Sequence, residues 1–211
     1  MVPVSVDGKT VSLEMRIYKP SGDGPFPTLI FNHGSTGTGR NTEIIKAPMR
    51  YTVVANFFVK RGWAVIVPAR RGRAGSEGVY DEGFNIIRSL GYTCNKTRSI
   101  SGAERALRDI EAAIDAILSL SFVDRTRLII GGQSRGGILS VAYAGLHPEQ
   151  VRGVINFVGG WVGEGCPTSE QINQDIFRRG SGFPQDTIWI YGDKDRYYSI
   201  AHSRKNFDAF K

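Results

Sequence analysis

The residue most able to do chemistry is Ser134, in the stretch Gly131-Gly132-Gln133-Ser134-Arg135-Gly136-Gly137. The apolar run Leu128-Ile129-Ile130 precedes it, and the helix-like Ile138 to Ala144 follows. A strand, a sharp turn with glycines two before and two after a serine, and then a helix make the arrangement called a nucleophile elbow. Gly132 and Gly136 remove the β-carbons that would collide as the backbone doubles back, so the hydroxyl can project above a sheet in a strained conformation. The helix after it directs free N–H groups, that of Arg135 first, toward the place where an oxyanion would develop. The plainer alternative is a Gly-rich strand-to-helix turn of no chemical consequence; strand, spacing and helix together favour the catalytic reading.

A serine nucleophile needs an oxyanion hole, a base, and an acid to orient the base. Asn32-His33-Gly34-Ser35-Thr36-Gly37 leaves a buried apolar run, and its His-Gly turn can bring the N–H of Ser35 or Thr36 to face the N–H of Arg135. Two carboxylates follow Ile188 to Gly192. Asp195 is preferred as the acid because the Gly-x-x-Asp spacing lets the chain turn before the carboxylate projects, whereas Asp193 suits the turn itself. Arg71 and Arg73, together with His33, are candidates to hold a substrate carboxylate; the competing expectation is that one arginine pairs with Glu77 or Asp81 to fix its loop.

These groups must be positioned by a scaffold, and the chain alternates accordingly. Val2–Asp7 and Val11–Tyr18 flank Asp7-Gly8-Lys9, which predicts a hairpin at a sheet edge. Continuous apolar runs at 28–32, 63–67, 128–130, 154–158 and 187–191 predict strands buried on both faces. Residues 51–60 predict a helix stopped at Arg61-Gly62. Ser101 to Glu104 reads as a capping box, followed by Ala106, Ile110, Ala113, Ile114 and Ile117 at helical spacing. Strands alternating with helices predict a single α/β domain over 1–211: a mostly parallel sheet with helices on both faces. Two irregular stretches, 81–100 and 161–185, are candidate walls or lids of a pocket at the carboxyl ends of the strands.

The composition suits one substantial core in 211 residues. No apolar run is long enough to span a bilayer, and Met1 to Val4 has no export signal. The chain as written reads as cytoplasmic, or periplasmic or secreted if a signal has been removed. A net charge of +7 raises nucleic acid as a partner, but the basic residues are scattered, and a solvated basic surface is the preferred reading. Cys94 and Cys166 have no partners at metal-ligand spacing; two free thiols are favoured over one disulfide.

In combination, the His33-Gly34-Ser35 loop, Arg71 to Gly78, Gly132 to Gly136, and Gly192-Asp193-Lys194-Asp195 resemble the α/β-hydrolase superfamily. The likeness is closest to its dienelactone-hydrolase-like esterases and prolyl-oligopeptidase-like relatives. It runs from about Tyr18 to the end. It implies a serine hydrolase cleaving carboxylic esters of small molecules through an acyl-serine intermediate, with no metal or organic cofactor. Ser134 would be the nucleophile, Asp195 the acid and 33–36 the oxyanion loop. Amide cleavage, or a non-catalytic binding protein of the same fold, is the alternative. In that superfamily the base follows the acid after one further strand. Here the remainder after Asp195 reads as one helix, capped by Ser199 with Ile200, Phe207 and Phe210 on its apolar stripe. The last strand, the base-bearing loop and the final helix are therefore expected to be missing through truncation. Of the histidines present, His33 belongs to the oxyanion loop and His147 lies at the far end of the helix after Ser134. His202 follows the acid in chain order, but must reach Ser134 from the last helix to serve as the base.

Overall fold

A computed structural model describes residues 1–211. Six strands form the main sheet: β3 (Met15–Tyr18), β4 (Phe26–Asn32), β5 (Ala64–Pro68), β6 (Val123–Gln133), β7 (Val154–Phe157) and β8 (Thr187–Ile190), in the order β3-β5-β4-β6-β7-β8. β3 is antiparallel to β5; the other neighbours are parallel. The α/β expectation of a mostly parallel sheet with an N-terminal antiparallel hairpin holds.

The hairpin itself differs from the expectation in one respect. β1 (Val2–Val6) and β2 (Lys9–Leu13) pair as a separate two-stranded sheet, with Val6 opposite Lys9, and the chain changes sheets at Glu14. Asp7 and Gly8 both take positive φ, as a two-residue hairpin turn requires. Val4, Val6 and Leu13 are buried against Ala112 and Ala113, so this ribbon covers a helix rather than extending the main sheet.

Strand alternation divides the core. Ile30, Ile66, Leu128 and Ile130 pack toward α3 (Lys96–Leu118), α4 (Arg135–Leu146) and α5 (Ser169–Phe177). Leu29, Phe31, Val65 and Val67 pack on the opposite face around Ala55 of α2 (Thr52–Val59). Period-two side chains on strands buried on both faces give this segregation directly. A short α1 (Thr42–Lys46) precedes α2, and α6 (Ile200–Phe210) closes the chain. The Ser199 hydroxyl caps α6 by accepting the His202 N–H at 3.1 Å, and Phe207 and Phe210 pack on Trp189.

The helix predicted to open at Ser101 starts earlier. Asn95 is the cap, accepting the Arg98 N–H at 3.0 Å, and Ser101 to Glu104 lies inside α3. A capping pair can sit within a helix when an upstream residue also caps and the intervening residues tolerate helix. The two irregular stretches contain local order of their own: the first turns of α3 fall in one and α5 in the other. No helix is long and apolar enough to cross a membrane.

Candidate functional site

The carboxyl ends of the parallel strands surround a cavity of about 630 Å³, where the chain leaves β4 at Gly34, β6 at Ser134 and β7 toward Trp161. Open α/β sheets place ligands at this end.

Ser134 sits between β6 and α4 with φ 54° and ψ −121°, a conformation costly for any residue with a β-carbon. It is held there from both sides. Its N–H donates to the Phe157 carbonyl at 2.9 Å, and its carbonyl accepts from Gly137 at 2.9 Å and Gly160 at 3.2 Å. The flanking glycines are sterically required. A β-carbon on Gly132 would lie 2.5 Å from the Asn32 oxygen, and one on Gly136 would lie 2.0 Å from it. These contacts are to backbone, which cannot retreat as a flexible side chain could.

The loop leaving β4 passes directly beside the serine. A β-carbon on Gly34 would stand 3.3 Å from that of Ser134. Thr36, one of the two oxyanion donors predicted on this loop, is already engaged: its N–H donates to the Tyr92 hydroxyl at 3.2 Å, and its own hydroxyl shares a 2.8 Å bond with the same oxygen. The Ser35 N–H has no protein acceptor, and Arg135 is the first residue of α4, where an N–H has no intrahelical acceptor. Ser35 and Arg135 therefore each present an N–H with no protein acceptor.

Three of the residues offered as substrate contacts are placed elsewhere. His33 is fully buried, with Nε2 accepting the Arg70 N–H at 3.2 Å and Nδ1 2.8 Å from the Gly34 carbonyl. Burial, with the Arg70 charge, holds its pKa well below the usual histidine value, so it is a neutral structural pin. Arg71 is buried and pairs with Asp109 at 2.5 Å and Asp7 at 2.8 Å, rather than with Glu77 or Asp81. Arg73 is buried against the carbonyls of Ile44 (2.6 Å) and Ile45 (2.5 Å). The arginines that do line the cavity are Arg40, Arg135 and Arg196.

Asp195 is half-buried and caps the turn after β8, its Oδ1 accepting the N–H groups of Tyr197 at 2.8 Å and Tyr198 at 2.9 Å. Asp193 is exposed. Tyr198 is buried in the cavity wall, its ring stacked on His202 at 5.7 Å. Burial pushes that phenol well above the ordinary tyrosine value, so it stays protonated at neutral pH. Behind it, His202 Nε2 lies 3.1 Å from the Asn173 amide. His147 pairs with Glu111 at 3.3 Å and stacks on Tyr143. Each of the three histidines thus has at least one ring nitrogen engaged by a partner other than Ser134.

Both irregular stretches line the cavity, one through Leu90, Tyr92 and Cys94, the other through Trp161 to Cys166. Cys94 and Cys166 are joined in a disulfide with Cα atoms 5.6 Å apart, against the free thiols favoured from sequence. Two cysteines in separate loops carry no signal of their spatial separation; the fold supplies it. No group of three or more His, Cys, Asp or Glu side chains gathers as a metal site.

Sequence reasoning missed the buried charges behind the serine. The Arg135 guanidinium lies over the rings of Tyr92 (3.7 Å) and Trp161 (4.2 Å) and donates to the Trp161 carbonyl at 3.0 Å. Glu82 lies between Arg70 and Arg135. Burial alone would raise its carboxyl; the two guanidinium charges outweigh that and hold it at about 2. A Glu inside a polar loop has no sequence signature for such a place.

Comparison with known proteins agrees with this architecture. Residues 7–181 match the X-Pro dipeptidyl-peptidase (S15) family. The quorum-quenching protein AidA of Acinetobacter baumannii is 29% identical over 134 residues, 64% of this chain and 36% of that protein. The chain thus spans about a third of the length of this curated relative. Est1E of Butyrivibrio proteoclasticus, solved with ferulic acid, superposes with a TM-score of 0.69 at 14% identity, over 100% of this chain and 86% of that one. Acetyl xylan esterase 1 of Thermoanaerobacterium sp. superposes with a TM-score of 0.67 at 18% identity, over 99% and 72%. The fold is that of the α/β hydrolases, and the chain belongs to the X-Pro dipeptidyl-peptidase (S15) family.

Proposed function

We propose that this protein is a serine hydrolase that cleaves carboxylic esters of small molecules through an acyl intermediate on Ser134. The observation that carries the reading is Ser134 itself: a non-glycine residue held at φ 54° in a cavity wall, beside the free N–H groups of Ser35 and Arg135. Such strain is retained where the surrounding structure over-determines it, and here it is retained at a serine on the cavity lining. In the proposed reaction Ser134 Oγ attacks the ester carbonyl, and the two N–H groups take the negative charge that develops on its oxygen. The alcohol then leaves with a proton, and water releases the acid.

Asp195 is assigned as the acid that orients the base, since it stands at the carboxyl end of β8 on the cavity side of the sheet. None of His33, His147 and His202 is assigned as the base, because each has a ring nitrogen held by another partner. Stretches 81–100 and 161–185 act as the walls that select the substrate. Arg40 and Arg196, both exposed on the cavity lining, suit an anionic group on it.

The S15 match favours amide cleavage as a second reading. Against it, Glu164 is the one carboxylate on the cavity lining that could meet a substrate amine, and it is turned to Ser199, whose N–H and hydroxyl it accepts at 2.7 Å and 3.0 Å. A serine-directed fluorophosphonate is expected to label the full-length protein and not its Ser134→Ala variant; equal labelling of both sinks the assignment. Short acyl esters are expected to turn over faster than aminoacyl-prolyl amides, and the reverse order would establish the second reading.

A further inference from the structure

We propose that Glu82 is a positioning residue that fixes the Ser35 and Arg135 N–H groups relative to each other. This rests on the reading of Ser134, Ser35 and Arg135 above. Glu82 touches neither donor. It is 1% exposed and sits at a junction from which hydrogen bonds run to both of their loops.

Toward Arg135 the link is direct. The Glu82 carbonyl accepts from Arg135 Nη1 at 2.7 Å, and its Oε2 lies 3.4 Å from the same nitrogen. Toward Ser35 there are two routes, one to each side of it. Oε1 accepts from Arg70 Nε at 2.5 Å, and Arg70 Nη1 donates to the His33 carbonyl at 3.0 Å. Oε2 accepts from the Tyr80 hydroxyl at 2.8 Å; that hydroxyl is 2.8 Å from Tyr92, which receives the Thr36 N–H. His33 and Thr36 are therefore both tied to Glu82, and the N–H between them on Ser35 is left free.

The chemistry suits alignment better than stability. Planar guanidinium groups donate in fixed directions, so Arg70 and Arg135 transmit orientation as well as charge. A buried carboxylate between two buried arginines adds little over well-packed apolar side chains, whereas removing the carboxylate leaves two buried cations facing each other. Two oxyanion donors from loops 100 residues apart in sequence need a shared reference, because catalysis depends on donors already aimed at the developing charge.

The test uses the full-length protein as wild type, Glu82→Gln, Arg70→Lys, Ser134→Ala and, as a control, Asp109→Asn. The control breaks the separate buried pair with Arg71. Two readouts are taken: hydrogen exchange of peptides covering 33–36 and 134–137, and steady-state hydrolysis of an ester and of its thionoester, whose sulfur is the poorer hydrogen-bond acceptor. Glu82→Gln is expected to raise exchange in both peptides together. It is also expected to lower kcat on the ester by about 10- to 100-fold with KM within about threefold, and to lower the ester-to-thionoester ratio by about tenfold. Asp109→Asn is expected to lower thermal stability and leave that ratio at the wild-type value. If Glu82→Gln fails to fold, Arg70→Lys, which keeps the charge and loses the fork, is expected to show the same pattern more weakly. Folded Glu82→Gln or Arg70→Lys protein with unchanged exchange and an unchanged ratio overturns the proposal. Equal turnover by wild type and Ser134→Ala overturns the reading of Ser134 instead, and the exchange result, which needs no turnover, then decides the Glu82 network separately.

Discussion

Gly34 and Ser134 meet across two adjacent parallel strands, with only 3.3 Å between a β-carbon placed on the glycine and that of the serine. β4 and β6 are paired in register up to Asn32 and Gly132, so the two chain segments leave the sheet side by side. That register brings the loop after β4 alongside Ser134.

The strain at Ser134 is expected to be measurable. Ser134→Gly relieves the positive φ and should stabilise the fold by about 1 kcal/mol, raising Tm by about 3 °C, while abolishing fluorophosphonate labelling. Calorimetry together with labelling checks both halves, and a lower Tm contradicts the account.

Gly136 admits no β-carbon. Gly136→Ala drives a methyl group to within 2.0 Å of the Asn32 carbonyl oxygen and should cost about 3 kcal/mol or more in urea unfolding. Gly165→Ala, where nothing lies within 4 Å of the added carbon, is the control and should change little.

Glu82 makes stability depend on acid. Its carboxyl is depressed from 4.5 to about 2 in the fold, so its contribution is complete above pH 4.5 and is lost as the pH falls toward 2. That span corresponds to about 3 kcal/mol. Urea midpoints for wild type and Glu82→Gln should differ most at neutral pH and converge as the pH approaches 2; a constant difference over that range contradicts the assignment.

The Cys94–Cys166 bond closes a loop of sequence separation 72 and joins the two stretches that line the cavity. Reduction, or Cys94→Ala with Cys166→Ala, should lower stability by about 4 kcal/mol on the loop-entropy account. It should also raise KM more than it lowers kcat, because it loosens walls rather than Ser134. Unfolding and kinetics with and without reductant measure both.

Much of this was readable in order along the chain. Apolar runs of strand length separated by helical spacing specify a parallel α/β sheet because each pattern has one way to bury its face. The glycines beside Ser134 mark a turn with no room for side chains, and Ser199 marks the start of the last helix by its hydroxyl. These are local facts, carried by residues within a few positions of one another.

What the sequence left open depended on contacts between distant segments. Arg71 and Arg73 look equally free to bind a substrate until Asp109 and the Ile44 and Ile45 carbonyls occupy them. Thr36 and Ser35 are equivalent donors until Tyr92 takes one of them. Cys94 and Cys166 become a pair, and Glu82 a junction, through the packing of loops whose residues carry no periodicity. Local patterns decide which elements form, because each element buries its own stripe. Which charged or polar side chain meets which is decided only when the tertiary fold removes water from around them, since an unpaired buried group is then costly and partners must be found across the chain.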